Sequence, residues 1–322
     1  MDKNIITVFG ATGAQGGSVA DIFLTDPALT IDWTVRAVTR DIQKDSSKNL
    51  AKRGAEVVAA DLNDAASIRK AIDGSTAVFA VTNYWESMDA AKEITQGKAL
   101  VDAAAATPTV KHFIWSSLLD VKKLSNGALP NVYHFDSKAA VESYARSLPD
   151  FPATFFMPGF YLSNLPGQTI RQFEPNGPWT MTFPIKDSAP MPYFDTNDTG
   201  LFVKAIVLNR DSVLGKRIYG ATEYITPKEI ISQFQEVFPE AGKTAAYNQV
   251  PPEAYKSLLK GAGMPDFAAQ ELLENFLLFE QFGYFGGASL DETHALLGED
   301  KEKLTTWKKH ARESKKWGVE MK

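Results

Sequence analysis

Cysteine is absent from the 322 residues. That excludes disulfides, thiolate nucleophiles and cysteine-based zinc sites, and it fits a reducing compartment. Histidine is scarce. His112, His294 and His310 stand at no metal-ligating spacing from one another or from carboxylates, so no metal is expected. No apolar run approaches the roughly 20 residues of a membrane span. The N-terminus enters an apolar strand by Ile5 without a charged leader or cleavage site. Neither membrane anchor nor secretory leader is therefore expected, and the compartment expected is the cytoplasm, with nuclear residence left open. Long blocks of like charge are also missing, and the net charge is −5. Direct nucleic-acid binding is not expected, whereas a regulatory protein partner stays open.

What is present is a strand-and-helix alternation. The runs at 5–10, 34–39, 55–61, 76–82, 111–117 and 153–159 read as strands, mostly apolar through their centres, as parallel strands covered on both faces are. Helical patterns lie between them, clearest at 87–105 and 135–147. The expected fold class is α/β, a Rossmann-type doubly wound parallel sheet with a smaller C-terminal α/β lobe. Residues 1–160 are expected to form the nucleotide domain and 161–322 the smaller substrate or partner lobe, with some interleaving of the two. After residue 160 the segment 174–200 is rich in Pro, Gly and Asn and reads as loops and short strands. Helical patterns return at 199–209, 227–238, 252–261, 265–282 and 301–316, without a separate repeating sheet pattern.

The string "VFGATGAQGGSVADIF" follows the first strand and opens a helix. Gly10 permits the sharp turn, Gly13 the approach of backbone amides to a pyrophosphate, and Gly16 close helix–strand packing. The diphosphate is expected at the helix N-terminus, where free N–H groups and the dipole favour an anion. The second strand ends in Thr39 and Arg40, with Lys44 close behind and Asp41 late for a ribose contact. A guanidinium suits a 2′-phosphate that a carboxylate would repel, so NADP(H) is expected over NAD(H). Asp61 and Leu62 at the third strand end are placed for the adenine, and Thr82, Asn83 and Tyr84 for the loop passing the cofactor. Pro158 closes the sixth strand, and Phe160 and Tyr161 follow as cleft walls or as plain packing.

"GATGAQGG", "VTR", "TNYWES", "HFDSK" and "TPKEI", in that order, resemble the NmrA-like family of atypical short-chain dehydrogenases/reductases, nearest to its redox-sensor members. The likeness runs over most of the chain. It implies an NADP(H)-binding core, a small C-terminal lobe and a cleft between them. It carries cofactor contacts onto Gly10, Ala11, Thr12, Gly13, Ala14, Gln15, Arg40, Asp61, Leu62, Thr82, Asn83, Tyr84, Lys138 and the loop from Phe160 to Asn164. Thr95 departs from the lysine often found before "QGK" in sensor-like members, which puts a cofactor contact there in doubt.

In active reductases of this class a Tyr stands four residues before the Lys, one above the other on a helix face. Here that place holds His134, with Tyr133 five residues before Lys138. With the helix opening near Phe135, Tyr133 lies in its entry loop. His134 reads as a proton donor to a carbonyl or imine oxygen, as a ribose contact, or as a helix-entry residue. Ser116 or Ser117 stands where the class places its carbonyl-polarising serine, and also reads as a turn residue. The candidate catalytic residues are thus His134, Lys138, Tyr133 and Ser117. Asp195 and Asp198 make an incomplete calcium pattern and read as a turn into a helix capped by Asp198 or Thr199. The aromatic stretch 274–287 reads as packing between lobes. The function expected first is a redox-state sensor acting through a protein partner with little or no turnover. The alternative is an NADPH-dependent oxidoreductase of a small carbonyl, imine or enone substrate, in a monomer or homodimer.

Overall fold

The computed structural model describes residues 3–167, 169–174 and 177–317. Its main sheet runs β1 (Asn4–Phe9), β2 (Trp33–Thr39), β3 (Glu56–Ala59), β4 (Ala77–Ala80), β5 (His112–Ser116) and β6 (Ala153–Pro158). Every pairing among them is parallel. Alternate residues of these strands enter two different cores. Ile6, Val8, Phe79 and Ile114 pack on one face, and Phe9, Val78, Phe113 and Trp115 on the other. This is why the runs are apolar without a period of two.

In the C-terminal half come β7 (Phe160–Tyr161), β8 (Ile170–Gln172), β9 (Trp179–Phe183), β10 (Met191–Phe194), β11 (Arg217–Gly220), β12 (Glu223–Ile225) and β13 (Ala246–Gln249). The large sheet has the order β11-β6-β5-β4-β1-β2-β3. The strand order reverses between β1 and β4, the switch point outside which ligands of such sheets bind. Two three-stranded sheets, β12-β10-β7 and β13-β9-β8, build the lobe. Their strands are two to five residues long, too short to print a repeat in the sequence.

The chain recrosses the residue-160 position twice. β11 lies parallel beside β6, with Arg217 opposite Phe155. The helix Thr199–Leu208 packs on Ala14–Thr25 so closely that a Cβ on Gly200 would lie 2.5 Å from the Ser18 carbonyl. Four later helices fall close to expectation, at Thr199–Leu208, Pro227–Val237, Pro252–Gly261 and Asp266–Gln281. Pro227–Val237 opens on a capping box, Thr226 and Glu229 each bonding the other's backbone N–H. The expected helix 301–316 is instead a 3₁₀ segment, Gly298–Lys303, and a separate helix, Trp307–Glu313. Thr306 caps that helix by accepting from Lys309 N–H (3.3 Å) and so breaks the run. Pro175 and Asn176 of the expected 174–200 loop lie outside the described residues.

Candidate functional site: a dinucleotide cleft with a histidine–glutamate pair

A cleft of about 1220 Å³ opens at the switch point between the sheet and the C-terminal lobe. Its floor is the glycine turn. Gly10 has φ +68°, and its carbonyl accepts from Gly13 N–H at 2.8 Å. A Cβ on Gly16 would sit 2.3 Å from the Gly10 carbonyl oxygen, so only glycine closes this turn. Gly13 is the N-cap of Ala14–Thr25 and carries no side-chain cap. The first N–H groups of that helix are left for an anion, and the turn therefore fits a diphosphate. Gly10, Thr12, Gly13, Ala14, Gln15 and Gly16 line the cleft. Ala11 does not, being packed in the core. The amide of Gln15 is held at both ends. It accepts from Ser116 Oγ (2.9 Å) and donates to Tyr161 Oη (2.6 Å), which joins β5 and β7 to the turn.

At one end Thr39, Arg40, Lys44, Asp61 and Leu62 line the cleft, together with Asp41 and Asn63. Arg40 is exposed and pairs with Glu86, which stands on the short helix Tyr84–Ser87 across the mouth. Among the described residues no carboxylate pairs with Lys44. The Asp41 carboxylate accepts from Gln43 N–H (2.8 Å), and that of Asp61 from the backbone and side chain of Asn63 (2.9 and 2.7 Å). Thr95 donates to the Ala91 carbonyl (2.9 Å) and is not among the lining residues, whereas Lys92 and Gln96 on either side are.

At the opposite end the helix Tyr133–Ser147 starts two residues earlier than expected, with Tyr133 already in its first turn. The Tyr133 hydroxyl donates to Asn131 Oδ1 (2.8 Å), and Tyr133 is not among the residues lining the cleft. His134 and Lys138 do line it. The imidazole Nδ1 lies 2.6 Å from Oε1 of Glu271, a fully buried residue of Asp266–Gln281. The same carboxylate accepts from His134 N–H (2.7 Å) and from the Tyr84 hydroxyl (2.7 Å). Burial first, and then this bond to Glu271, push the Tyr84 phenol well above its ordinary pKa, so it stays a neutral donor. A carboxylate only accepts, so Nδ1 carries a proton and Nε2 is the nitrogen left for another partner.

Lys138 is buried and ion-paired to the buried Glu93. Its ammonium also donates to Thr82 Oγ1 (3.3 Å) and to the Thr82 carbonyl (3.4 Å), and Thr82 Oγ1 donates to Glu93 (2.7 Å). Ser137 completes the set by donating to Glu93. Neither Ser116, the last residue of β5, nor Ser117 after it lines the cleft. Ser116 bonds Gln15, and Ser117 donates to Glu142 (2.7 Å), and both are fully buried. Asn83, Tyr84, Pro158, Phe160, Tyr161 and Asn164 stand in the lining.

A model of the NmrA-like family matches residues 2–311. The chain belongs to the NmrA-like family. An NmrA-like family domain-containing oxidoreductase of Aspergillus hancockii is 30% identical over 302 residues, covering 88% of this chain and 85% of its own. One of Aspergillus campestris is 28% identical over 301 residues, with the same coverages. A crystal structure of NmrA, a negative transcriptional regulator, in complex with NAD matches with a TM-score of 0.79 at 23% identity, covering 97% of this chain and 95% of that one. The Escherichia coli NADPH-dependent quinone oxidoreductase bound to NADPH matches at 0.71 and 20% identity, covering 95% and 98%. At these identities the solved structures speak to the fold.

Within this NmrA-like chain, sequence reasoning missed the two carboxylates that anchor His134 and Lys138. It also missed a C-terminal wall made by Arg171, Thr182, Tyr255, Leu258, Asn275 and Phe276. The one signal available for Glu271 was a charged residue on the core side of an amphipathic helix. Asp195 and Asp198 make no metal site. Among the described residues no group of three or more His, Asp or Glu is placed to hold a metal ion. Asp198 holds the N-cap position of Thr199–Leu208 as expected but makes no side-chain cap there, its carboxylate accepting from Thr305 N–H (2.7 Å), while Asp195 caps the preceding turn by accepting from Asn197 N–H (2.9 Å).

Proposed function

We propose that this chain is an NADPH-dependent oxidoreductase acting on a carbonyl, imine or enone, with His134 as the proton donor. The observation that carries this reading is the His134–Glu271 pair. A histidine lining the cleft one turn before Lys138 has its tautomer fixed by a buried carboxylate, and Nε2 makes no hydrogen bond among the described residues. Glu271 orients the ring by accepting from Nδ1–H, as a carboxylate behind a catalytic histidine does. The uncapped N–H groups beyond Gly13 suit the diphosphate, and Arg40 with Lys44 suits a 2′-phosphate. NADPH, when bound, supplies the hydride. The imidazolium delivers its Nε2 proton to the substrate oxygen or nitrogen and is left as the neutral ring whose remaining proton, on Nδ1, is held by Glu271. Lys138, held by Glu93 and Thr82, presents a fixed positive charge at the cleft wall. Curated family members bearing oxidoreductase names, and NmrA structures solved with NAD and with NADP, agree with the reading.

The test is NADPH oxidation with a panel of aldehydes, ketones and imines. His134→Ala should lower kcat by about 10²-fold or more, the usual contribution of a general acid. Glu271→Gln should lower kcat and move the pH dependence of kcat while leaving NADPH affinity unchanged. Turnover that is indifferent to both variants would refute the assignment.

A second reading, a cofactor-state sensor with little turnover, is favoured by the Arg40–Glu86 pair. A 2′-phosphate competing for Arg40 would release Glu86, which stands on a segment whose Trp85 and Met88 expose apolar surface. Tight NADPH binding without turnover on any of the panel, together with a cofactor-dependent protein partner, would favour it.

A further inference from the structure

The cleft runs on past the glycine turn and the His134–Lys138 corner to side chains of the C-terminal lobe. Its outer part has a distinct character. Phe160, Tyr255 and Phe276 pack ring to ring, with Phe276 5.9 Å from Phe160 and 5.4 Å from Tyr255. Leu258 and Phe173 extend this wall and leave apolar surface exposed at its edge.

Two polar groups are buried in that wall without a partner. Thr182 is 9% exposed and Asn275 4%, and neither Thr182 Oγ1 nor Asn275 Nδ2 has a hydrogen-bond partner among the described residues. Both residues line the cleft. Leaving buried donors unpaired is unfavourable, so each such group invites a ligand atom. Their placement follows from strand register. Arg171 stands opposite Thr180 across the β8–β9 pair, and Ile170 opposite Met181. Side chains alternate, so Thr182 shares the face of Arg171, while Ile170, Met181 and Phe183 turn into the core and are fully buried. Asn275 comes from Asp266–Gln281, the helix that also carries Glu271. The Arg171 guanidinium lies over the Phe173 ring at 4.6 Å, and among the described residues no carboxylate pairs with it.

We propose that this outer chamber is a binding site for an aromatic ligand bearing an oxygen acceptor, a ketone or carboxylate on a fused or linked ring system. Arg171, Thr182 and Asn275 offer N–H or O–H donors there, and among the described residues no carboxylate lines the chamber around them, which selects acceptor oxygens. The rings of Phe160, Tyr255 and Phe276, packed edge to face, offer apolar surface to the flat body. The inference rests on reading the cleft as a substrate site and names the class of molecule that site takes.

The experiment is calorimetric titration of four probes into the full chain saturated with NADP⁺, so that binding is read without turnover. 2-Acetylnaphthalene and 2-naphthoate should bind about tenfold or more tighter than 2-ethylnaphthalene and acetylcyclohexane. Asn275→Leu and the near-isosteric Thr182→Val should each remove most of that advantage. Affinity for 2-ethylnaphthalene and for NADP⁺ should not change, which also certifies that the variants fold. Arg171→Gln should weaken 2-naphthoate more than 2-acetylnaphthalene. Equal binding of the ethyl and acetyl compounds, indifference to both variants, or no binding of either oxygen-bearing naphthalene at about 1 mM overturns the inference. Ordered binding with no NADPH oxidation by any ketone removes the reductase reading and leaves the chamber standing. Ketone turnover with a KM blind to Asn275→Leu does the reverse.

Discussion

Lys138 is the residue at which catalysis and stability are hardest to separate. Its ammonium offsets Glu93, which is 2% exposed. Lys138→Ala strands that carboxylate and should destabilise the fold by about 3–5 kcal/mol, the usual cost of removing one partner from a buried pair. Adding Glu93→Ala should recover much of the loss, read as the urea midpoint at constant slope. If the double variant is no more stable than the single one, the pair is not what holds this corner.

Asp198 gives a pH signature with a definite sign. Burial pushes its carboxyl from the ordinary 3.8 up to about 6, outweighing the bonds from Thr305. Between those values the folded chain keeps a proton that the unfolded chain has released, so this group makes stability fall as pH rises from about 4 to 6. Asp198→Asn should remove that fall. The variant should gain on the parent by up to about 3 kcal/mol between pH 4 and pH 7, since each pH unit separating folded from unfolded titration is worth about 1.4 kcal/mol. Denaturant midpoints at the two pH values check it. His112 runs the other way. Burial lowers its imidazole from 6.5 to about 4, so its stabilising effect is full above pH 6.5 and is lost as pH falls towards 4. The parent curve is therefore a sum, and only the difference between variant and parent isolates Asp198.

At this scale the sequence showed half of each pair. His134 and Lys138 stand one helical turn apart and were visible as a spacing. Glu271 lies 137 residues from His134 and Glu93 lies 45 from Lys138, and no local period reports such partners. Tyr133 was readable as an entry-loop residue only because the helix start was placed two residues late. Gly10 and Gly16 were legible for the opposite reason, that a backbone closing on itself leaves no substitute.

Among the elements, a close contact joins the helices Ala90–Ala105 and Tyr133–Ser147, which carry Glu93 and Lys138. It depends on Gly97. A Cβ there would lie 2.4 Å from Val141 Cγ2, with Trp115 also in contact. Gly97→Ala should cost about 1–3 kcal/mol, as overpacking of a filled core does. It should also shift the Lys138 corner, seen as a lower urea midpoint together with weaker NADPH binding. An unchanged midpoint would mean that the helices slide apart freely.

The strands of the first half were legible because they alternate with helices and most are apolar through their centres, with a core on each face of the sheet. The lobe was not. Two- to five-residue strands whose partners lie far along the chain, such as β9 with β13, leave only turn residues as a trace. The pairing of β11 with β6 was hidden for the same reason.

For the whole molecule, the proposed cofactor preference has a thermal readout. A ligand that binds only the folded state stabilises it by about 2.7 kcal/mol at a hundred times its Kd. NADPH should therefore raise Tm by several degrees more than equal NADH. Arg40→Ala, which removes a charge-assisted contact, should erase most of that difference. Equal shifts for the two nucleotides in the parent chain would remove the 2′-phosphate from the account. Glu86→Gln offers the converse, since it frees Arg40 and should strengthen NADPH binding.

β11 carries a consequence for how such a protein can be cut and recombined. The outermost strand of the nucleotide sheet is made only after the chain has already built much of the lobe. A fragment ending near residue 160 would present β6 as a bare hydrogen-bonding edge, apolar on both sides and open to stray partners. The halves are not interchangeable cassettes. New specificity in this architecture has to be written into the walls of an intact chain rather than grafted on as a module.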